Sequence, residues 1–147
     1  MRFQLWHVPL RLATGAFILN SGVNKWMAED EEVHKGVHSM AATAYPQVES
    51  VDPKTFTKAV AGTEIALGTA LLTPFIKPAM AGAALTAFSG GLVGMYMRTP
   101  GLREAGSLRP SQNGTAIAKD VWMLGIGLAL VIDAVTSRAR GLVPGKH

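Results

Sequence analysis

Cysteine is absent from the 147 residues, and charged residues make up only 16% of them. The lack of cysteine excludes thiol–disulfide chemistry, thiolate metal sites and iron–sulfur ligation by this chain. The charged fraction is low beside the roughly 25% of an average soluble domain, which favours a membrane protein. No histidine falls within an apolar block, so the sequence does not predict haem held by two intramembrane histidines. It also contains no recognisable nucleotide-binding loop or hydrolase triad.

Hydrophobic residues make up 48% of the chain, and they are concentrated in four blocks that polar loops separate. The length suits one domain. We therefore predict a single all-α domain over residues 1–147, a polytopic membrane protein with four transmembrane helices in an antiparallel bundle. The predicted spans cover about residues 9–26, 57–75, 79–97 and 117–136.

The first block, residues 9–26, carries polar residues that a plain membrane anchor would lack. At roughly 1.5 Å per residue it is about 27 Å long, close to the thickness of bilayer hydrocarbon. Asn20 and Asn24 are four residues apart, so they share a helix face that must find polar partners. Arg11 interrupts the apolar run and no small-residue cleavage site follows it, so we expect a retained helix rather than a signal peptide.

Antiparallel threading is expected to bring several polar residues to one end of the bundle. A carboxylate inside a membrane span costs about 2.5–3.5 kcal/mol, so Glu64 should be paired or protonated, with Lys25 the first choice of partner and Lys119 the second. One interpretation is a pocket for a quinone head group or another small ligand, and the other is an internal ion-pair network that fixes the packing. The candidate pocket residues are Asn20, Asn24, Lys25, Glu64, Lys119 and Asp120.

The polar segment after Trp26 is predicted to contain a short amphipathic helix on the surface, because Val33, Val37, Met40, Ala41 and Ala44 recur at helical spacing. His34 and His38 are four residues apart in this segment, with Glu31 one turn earlier. That spacing can hold a metal, but histidines in an acidic loop are more often solvated, and no metal site is predicted.

The third block contains no charge and carries small residues at every fourth position. Such a ridge lets another helix approach closely. The predicted helix-packing residues are Gly82, Thr86, Gly90 and Gly94.

Lysine and arginine lie mostly at the edges of the apolar blocks and form no stripe, so no nucleic-acid partner is predicted. Four spans place both termini on one side of the membrane. Basic residues are dense on that side, which favours cytoplasmic termini. They are Arg2, Lys77, Arg138, Arg140 and Lys146. A local pair between Asp133 and Arg138 is expected at this end.

Three segments resemble the DoxX family of small bacterial membrane proteins. Residues 9–26 match its opening run through Arg11, Gly15, Phe17, Gly22 and Lys25. Residues 61–75 match its glutamate-containing helix through Gly62, Glu64, Gly68 and Leu71, although Pro74 stands where a further glycine is usual. Residues 118–131 resemble its final helix through Lys119, Gly125 and Leu130. The long acidic loop after Trp26 departs from the shortest members.

The resemblance implies a four-helix bundle in the plasma membrane. Some relatives are linked to thiosulfate:quinone oxidoreduction and others to oxidative-stress complexes. Because the chain has no redox group of its own, we expect a non-catalytic accessory subunit that packs against other membrane redox or respiratory subunits. The alternative is a quinone-binding subunit of a thiosulfate:quinone-type oxidoreductase. A small-solute transporter fits less well, because four short helices leave little room for a pathway.

Overall fold

The computed structural model describes residues 5–142, with side chains as far as residue 139. Within these residues the structure is helical and no β-strand forms, so the predicted all-α class is confirmed. A single 3-10 turn lies at Pro46–Val48. The α-helices in chain order are α1 (His7–Met27), α2 (Glu31–Ala44), α3 (Pro53–Leu72), α4 (Pro78–Arg98), α5 (Thr115–Ala118) and α6 (Val121–Leu142). Arg2, Lys146 and the side chain of Arg140, which support the expected orientation, lie outside the described residues.

Two stretches of the described chain are long and apolar enough to cross a membrane, Pro78–Arg98 and Thr115–Ala139. The second begins with α5 and continues into α6, and a two-residue turn at Lys119 and Asp120 separates them. Helices α1 and α3, with 21 and 20 residues, are of spanning length but contain more polar residues. All four predicted spans therefore coincide with long helices.

Helix α2 forms where an amphipathic helix was predicted. The residues at its N-terminus determine where it starts. The side chain of Asp30 accepts a hydrogen bond from the backbone N–H of Glu32, and Glu31 and Glu32 suit the positive end of the helix dipole. Its polar face is exposed, as expected for an amphipathic helix on the surface. The helix also packs against α3 and α4, where Ala41 and Ala44 are buried.

Helix α3 begins at Pro53, and the Asp52 carboxylate caps it by accepting a hydrogen bond from the Thr55 N–H. Its end is three residues earlier than the predicted residue 75. Thr73 precedes a proline and adopts an extended backbone, with ψ near 115°. The ring of Pro74 disfavours a helical conformation at that position, so the helix stops at Leu72.

The four long helices form two tightly packed antiparallel pairs, α1 with α3 and α4 with α6. Glycines permit the close approach in both. A Cβ atom at Gly68 would lie 2.7 Å from the Cβ of Leu19, and one at Gly82 would lie 2.7 Å from the Cβ of Leu130. The pairs contact each other far less than the helices within a pair do. Space therefore remains between them at the end that α2 covers.

Apolar side chains from both pairs meet at the centre of the bundle and hold the pairs together. This core consists of Ile18, Leu67, Leu71, Ala81, Leu85, Met123 and Leu130.

Candidate functional site

An ion pair between α1 and α3 is the centre of the site. Glu64 is 6% exposed, and Lys25 Nζ lies 2.9 Å from its Oε2 and 3.0 Å from its Oε1. The same Nζ donates to Ser21 Oγ at 2.6 Å, and that hydroxyl donates to Glu64 Oε1 at 3.4 Å. Ser21 and Lys25 are four residues apart, so one face of α1 presents both to the carboxylate. The structure thus pairs Glu64 with the first-choice partner from the sequence.

Asp120 and Lys119 approach this ion pair from the turn between α5 and α6. Asp120 is half-buried and within electrostatic range of Lys25 and Glu64. Lys119 is exposed, and its Nζ lies 5.4 Å from the centre of the Phe17 ring. Residues from α1, α3 and the last third of the chain therefore form one polar cluster, which we define as Ser21, Lys25, Glu64, Lys119 and Asp120.

Asn20 and Asn24 lie outside this polar cluster, although they were grouped with it in the sequence. Both are exposed and neither lines the adjacent cavity. The reason is the rotation of α1, whose buried face contains Gly15 and Gly22. Asn20 and Asn24 come one position before Ser21 and Lys25. They are therefore turned by about 100° around the helix axis, away from α3. Gly15 and Gly22 are seven residues apart and therefore share one face of α1. That spacing was the sequence signal that could have shown which face of α1 packs against α3.

The polar cluster lies at the wall of a cavity of about 820 Å³ between the two helix pairs. Most of the remaining lining is apolar and comes from every helix of the described chain. A concave, mainly apolar site with a few polar groups is the usual form of a small-molecule site. Representative apolar lining residues are Phe17, Val37, Met40, Phe56, Phe88 and Met123.

Helix α2 forms one side of the cavity, a role that the sequence did not reveal. Val37 and Met40 line the space, and Tyr45 closes the end of the helix against α4. The Tyr45 hydroxyl donates to the Gly91 carbonyl at 2.8 Å, and the Arg98 guanidinium lies 5.1 Å from the tyrosine ring centre. Helical periodicity predicted the apolar face of α2, but only the fold shows what that face covers.

The four small residues of α4 have different surroundings. Gly82 packs on Leu130, and Thr86 packs on Gly127, so both contact α6. A Cβ atom at Gly94 would meet the Tyr45 hydroxyl, whereas one at Gly90 would meet no atom of the described residues within 4 Å. The predicted ridge is therefore largely an internal packing face.

The histidines of α2 turn towards α3. His38 Nε2 lies 3.1 Å from the Val48 carbonyl oxygen, and its ring stacks edge-on with Phe56 at 5.7 Å between ring centres. His34 is buried, and its backbone carbonyl faces the Thr57 hydroxyl at 3.5 Å. In the described part of the chain, no three His, Asp or Glu side chains are close enough together to hold a metal ion.

The opposite end of the bundle contains two polar contacts that the sequence did not predict. The Arg11 guanidinium donates to the carbonyl oxygens of Ala70, Leu71, Thr73 and Ile76. The carbonyls of Ala70 and Leu71 belong to the last turn of α3, where helical donors run out, and those of Thr73 and Ile76 lie in the connection to α4. His7 Nε2 lies 3.2 Å from Asp133 Oδ2, so Asp133 has a partner on α1, and its expected pair with Arg138 stays a prediction.

A sequence model of the DoxX family matches residues 7–96, which is more than half of the chain. The match covers α1 to α3 and nearly all of α4, and it includes both halves of the Lys25–Glu64 pair. It ends before the third resembling segment, residues 118–131. No curated protein and no solved structure shows significant similarity to the chain. The extent of the family match shows that this chain belongs to the DoxX family, and hence to a family of membrane proteins.

Proposed function

We propose that this protein is a four-span membrane protein whose cavity binds a small amphiphilic molecule, with quinones as the best-fitting class. One observation carries the proposal: the polar cluster stands at one wall of an otherwise mainly apolar cavity of about 820 Å³. Lysine ammonium groups can donate to quinone carbonyls, and the carboxylates can accept from quinol hydroxyls. An apolar wall suits the ring and its substituents.

The distribution of polar and apolar residues supports membrane spanning by α1 as well as by the two apolar stretches. Arg11 and Glu64 are buried inside the bundle with their partners. Leu12, Phe17 and Val23 are 52%, 45% and 42% exposed on the outside of α1. In water this pattern would be unfavourable, whereas in lipid the apolar surface faces the hydrocarbon and the charges are satisfied internally.

The sequence contains no cysteine, so the chain supplies neither a thiol–disulfide couple nor thiolate ligands for an iron–sulfur cluster. The proposed role is therefore that of an accessory quinone-binding subunit in a membrane redox or respiratory assembly of the plasma membrane. The thiosulfate:quinone-type alternative uses the same cavity and differs only in the reaction of the partner subunit.

Quinone binding is tested by fluorescence with the protein reconstituted in lipid nanodiscs. Trp122 lies edge-on to Phe17, 6.1 Å between ring centres, and Phe17 lines the cavity, so a bound quinone should quench Trp122. We expect saturable quenching by a short-chain benzoquinone, reduced in the Trp122→Phe variant. Glu64→Gln should weaken binding about tenfold, in line with the loss of a charged hydrogen-bond acceptor. Glu104→Gln, in the exposed loop, should leave it unchanged. Absence of saturable quenching would refute the proposal.

The accessory role is tested by gentle extraction from native membranes, followed by native electrophoresis, mass spectrometry and a visible spectrum. Co-migration with haem-containing or other redox subunits is the expected result. A small homo-oligomer with no redox partner would contradict that role. The catalytic alternative requires thiosulfate-dependent quinone reduction to fall in Glu64→Gln while the assembly stays intact.

A further inference from the structure

The cavity extends to the outer face of α4. Met80, Ala84, Ala87 and Gly91 follow one another at spacings of three or four residues, and all are exposed. They form an outer stripe on a helix that is apolar enough to span a membrane. The last two residues of this stripe, Ala87 and Gly91, also line the cavity. The space inside the bundle is thus continuous with a surface that faces lipid in the proposed arrangement.

Helix α2 forms the other edge of this opening. Met40 and Tyr45 line the cavity, and Met40 is 39% exposed. The hydrogen bond from Tyr45 to the Gly91 carbonyl joins the two edges at one end. A Cβ atom at Gly91 would meet nothing within 4 Å among residues 5–142. The gap between the helices is therefore bordered by side chains but not filled by them.

Resting on the proposed function, we propose that this opening is a lateral portal through which the apolar chain of a lipid quinone extends into the bilayer. A cavity of about 820 Å³ holds a molecule of roughly drug size. It can enclose the head group and the beginning of an isoprenoid chain, so a longer chain must leave it. Ala87 and Gly91 present the smallest side chains where that chain would pass, and the exit leads to hydrocarbon.

The portal predicts a difference between two quinones that share a head group, one with a long isoprenoid chain and one without. Gly91→Leu places a side chain in the open gap, and leucine has a higher helix propensity than glycine, so the variant should fold. We expect the variant to bind the long-chain quinone at least tenfold more weakly than wild type, and the chain-free quinone within twofold of it. Binding is measured by tryptophan quenching in nanodiscs.

The matched control is Gly90→Leu. Gly90 is the adjacent residue, has equally open space within the described chain and does not line the cavity. This variant should bind both quinones like wild type. Ala87→Leu, at the second small position of the portal, should repeat the effect of Gly91→Leu and serves if that variant does not fold.

The outcomes separate this inference from the function on which it rests. If wild type binds neither quinone, both are wrong. If wild type binds both and Gly91→Leu and Ala87→Leu bind the long-chain quinone unchanged, the portal is wrong and quinone binding stands. Equal loss of both quinones would show that these positions close the cavity itself, which also overturns the portal.

Discussion

A Cβ atom at Gly22 would lie 2.8 Å from the Cβ of Glu64 and 2.9 Å from the Ala61 carbonyl oxygen. The absence of a side chain at Gly22 therefore lets α1 lie directly on the turn of α3 that carries the buried carboxylate. This contact brings Lys25, one turn further along α1, within hydrogen-bonding distance of Glu64. The ion pair depends on the glycine as much as on the two charges.

Gly22→Ala should destabilise the protein by about 1–3 kcal/mol, because the added methyl group meets backbone atoms that cannot rotate away. Gly125→Ala is the control. Gly125 is exposed in α6 and has open space around it in the described part of the molecule, so alanine should be neutral or stabilise by up to about 1 kcal/mol. Denaturant unfolding in detergent micelles measures both. Equal stability of the two variants would contradict the role of Gly22.

Lys25→Met should destabilise the fold because it leaves the Glu64 carboxylate without its ammonium partner. The Lys25 side chain is 24% exposed and that of Glu64 is 8% exposed. We therefore expect a loss of about 2 kcal/mol, between the values for exposed and fully buried pairs. In the background Glu64→Gln the same substitution should cost clearly less. A double-mutant cycle gives the coupling energy, and additive losses would show that the pair contributes no interaction.

Arg11→Met should loosen the end of α3, because four carbonyl oxygens at and just after this end would lose the hydrogen bonds that the guanidinium donates to them. Hydrogen bonds to a charged group contribute about 1.5–3 kcal/mol each and are not additive, so we expect a loss of at least about 2 kcal/mol. Hydrogen exchange should accelerate in the last turn of α3. Arg109→Met, in the exposed loop before α5, should change neither measurement. Unaltered exchange in the Arg11 variant would contradict this account.

The cap of α3 should make stability depend on pH. Hydrogen bonds from the Thr55 backbone N–H and hydroxyl lower the pKa of Asp52 below its usual value. A carboxyl whose pKa is lower in the folded state stabilises the fold above its unfolded pKa, and that contribution is lost as pH falls through the folded pKa. Wild type should therefore lose more thermal stability than Asp52→Asn when the pH is lowered into the acidic range. Parallel melting curves for the two proteins would rule this out.

The long helices were predictable because hydrophobic blocks of spanning length have few alternatives in a 147-residue chain. The residues at which these helices end were less predictable. The stop of α3 at Leu72 depends on the proline after Thr73, and the break between α5 and α6 falls inside a stretch that is apolar enough overall to span a membrane. The periodicity of hydrophobic residues predicts that a helix is present more reliably than it predicts the residue where the helix ends.

The candidate site was only partly predictable. Lys25 and Glu64 were identified because a buried carboxylate needs a cation and the antiparallel order places them at one depth. Asn20 and Asn24 were misplaced because residue spacing gives a shared face but not the rotation of the helix about its axis. The contribution of α2 to the cavity, and the contact between His7 and Asp133, join distant parts of the chain. Such contacts follow from packing, which composition and spacing do not specify.

The order of the helices along the chain has a consequence for biosynthesis. The partners of the first pair, α1 and α3, are both complete once residue 72 has been made, and with them the Lys25–Glu64 contact. Synthesis runs from the N-terminus onward, so these two helices are available before the rest of the bundle. Lys119, Asp120 and Met123 join the cavity wall much later. During insertion the charged pair can thus form while the chain is still being made, whereas the enclosed space is finished only when the last helix leaves the ribosome.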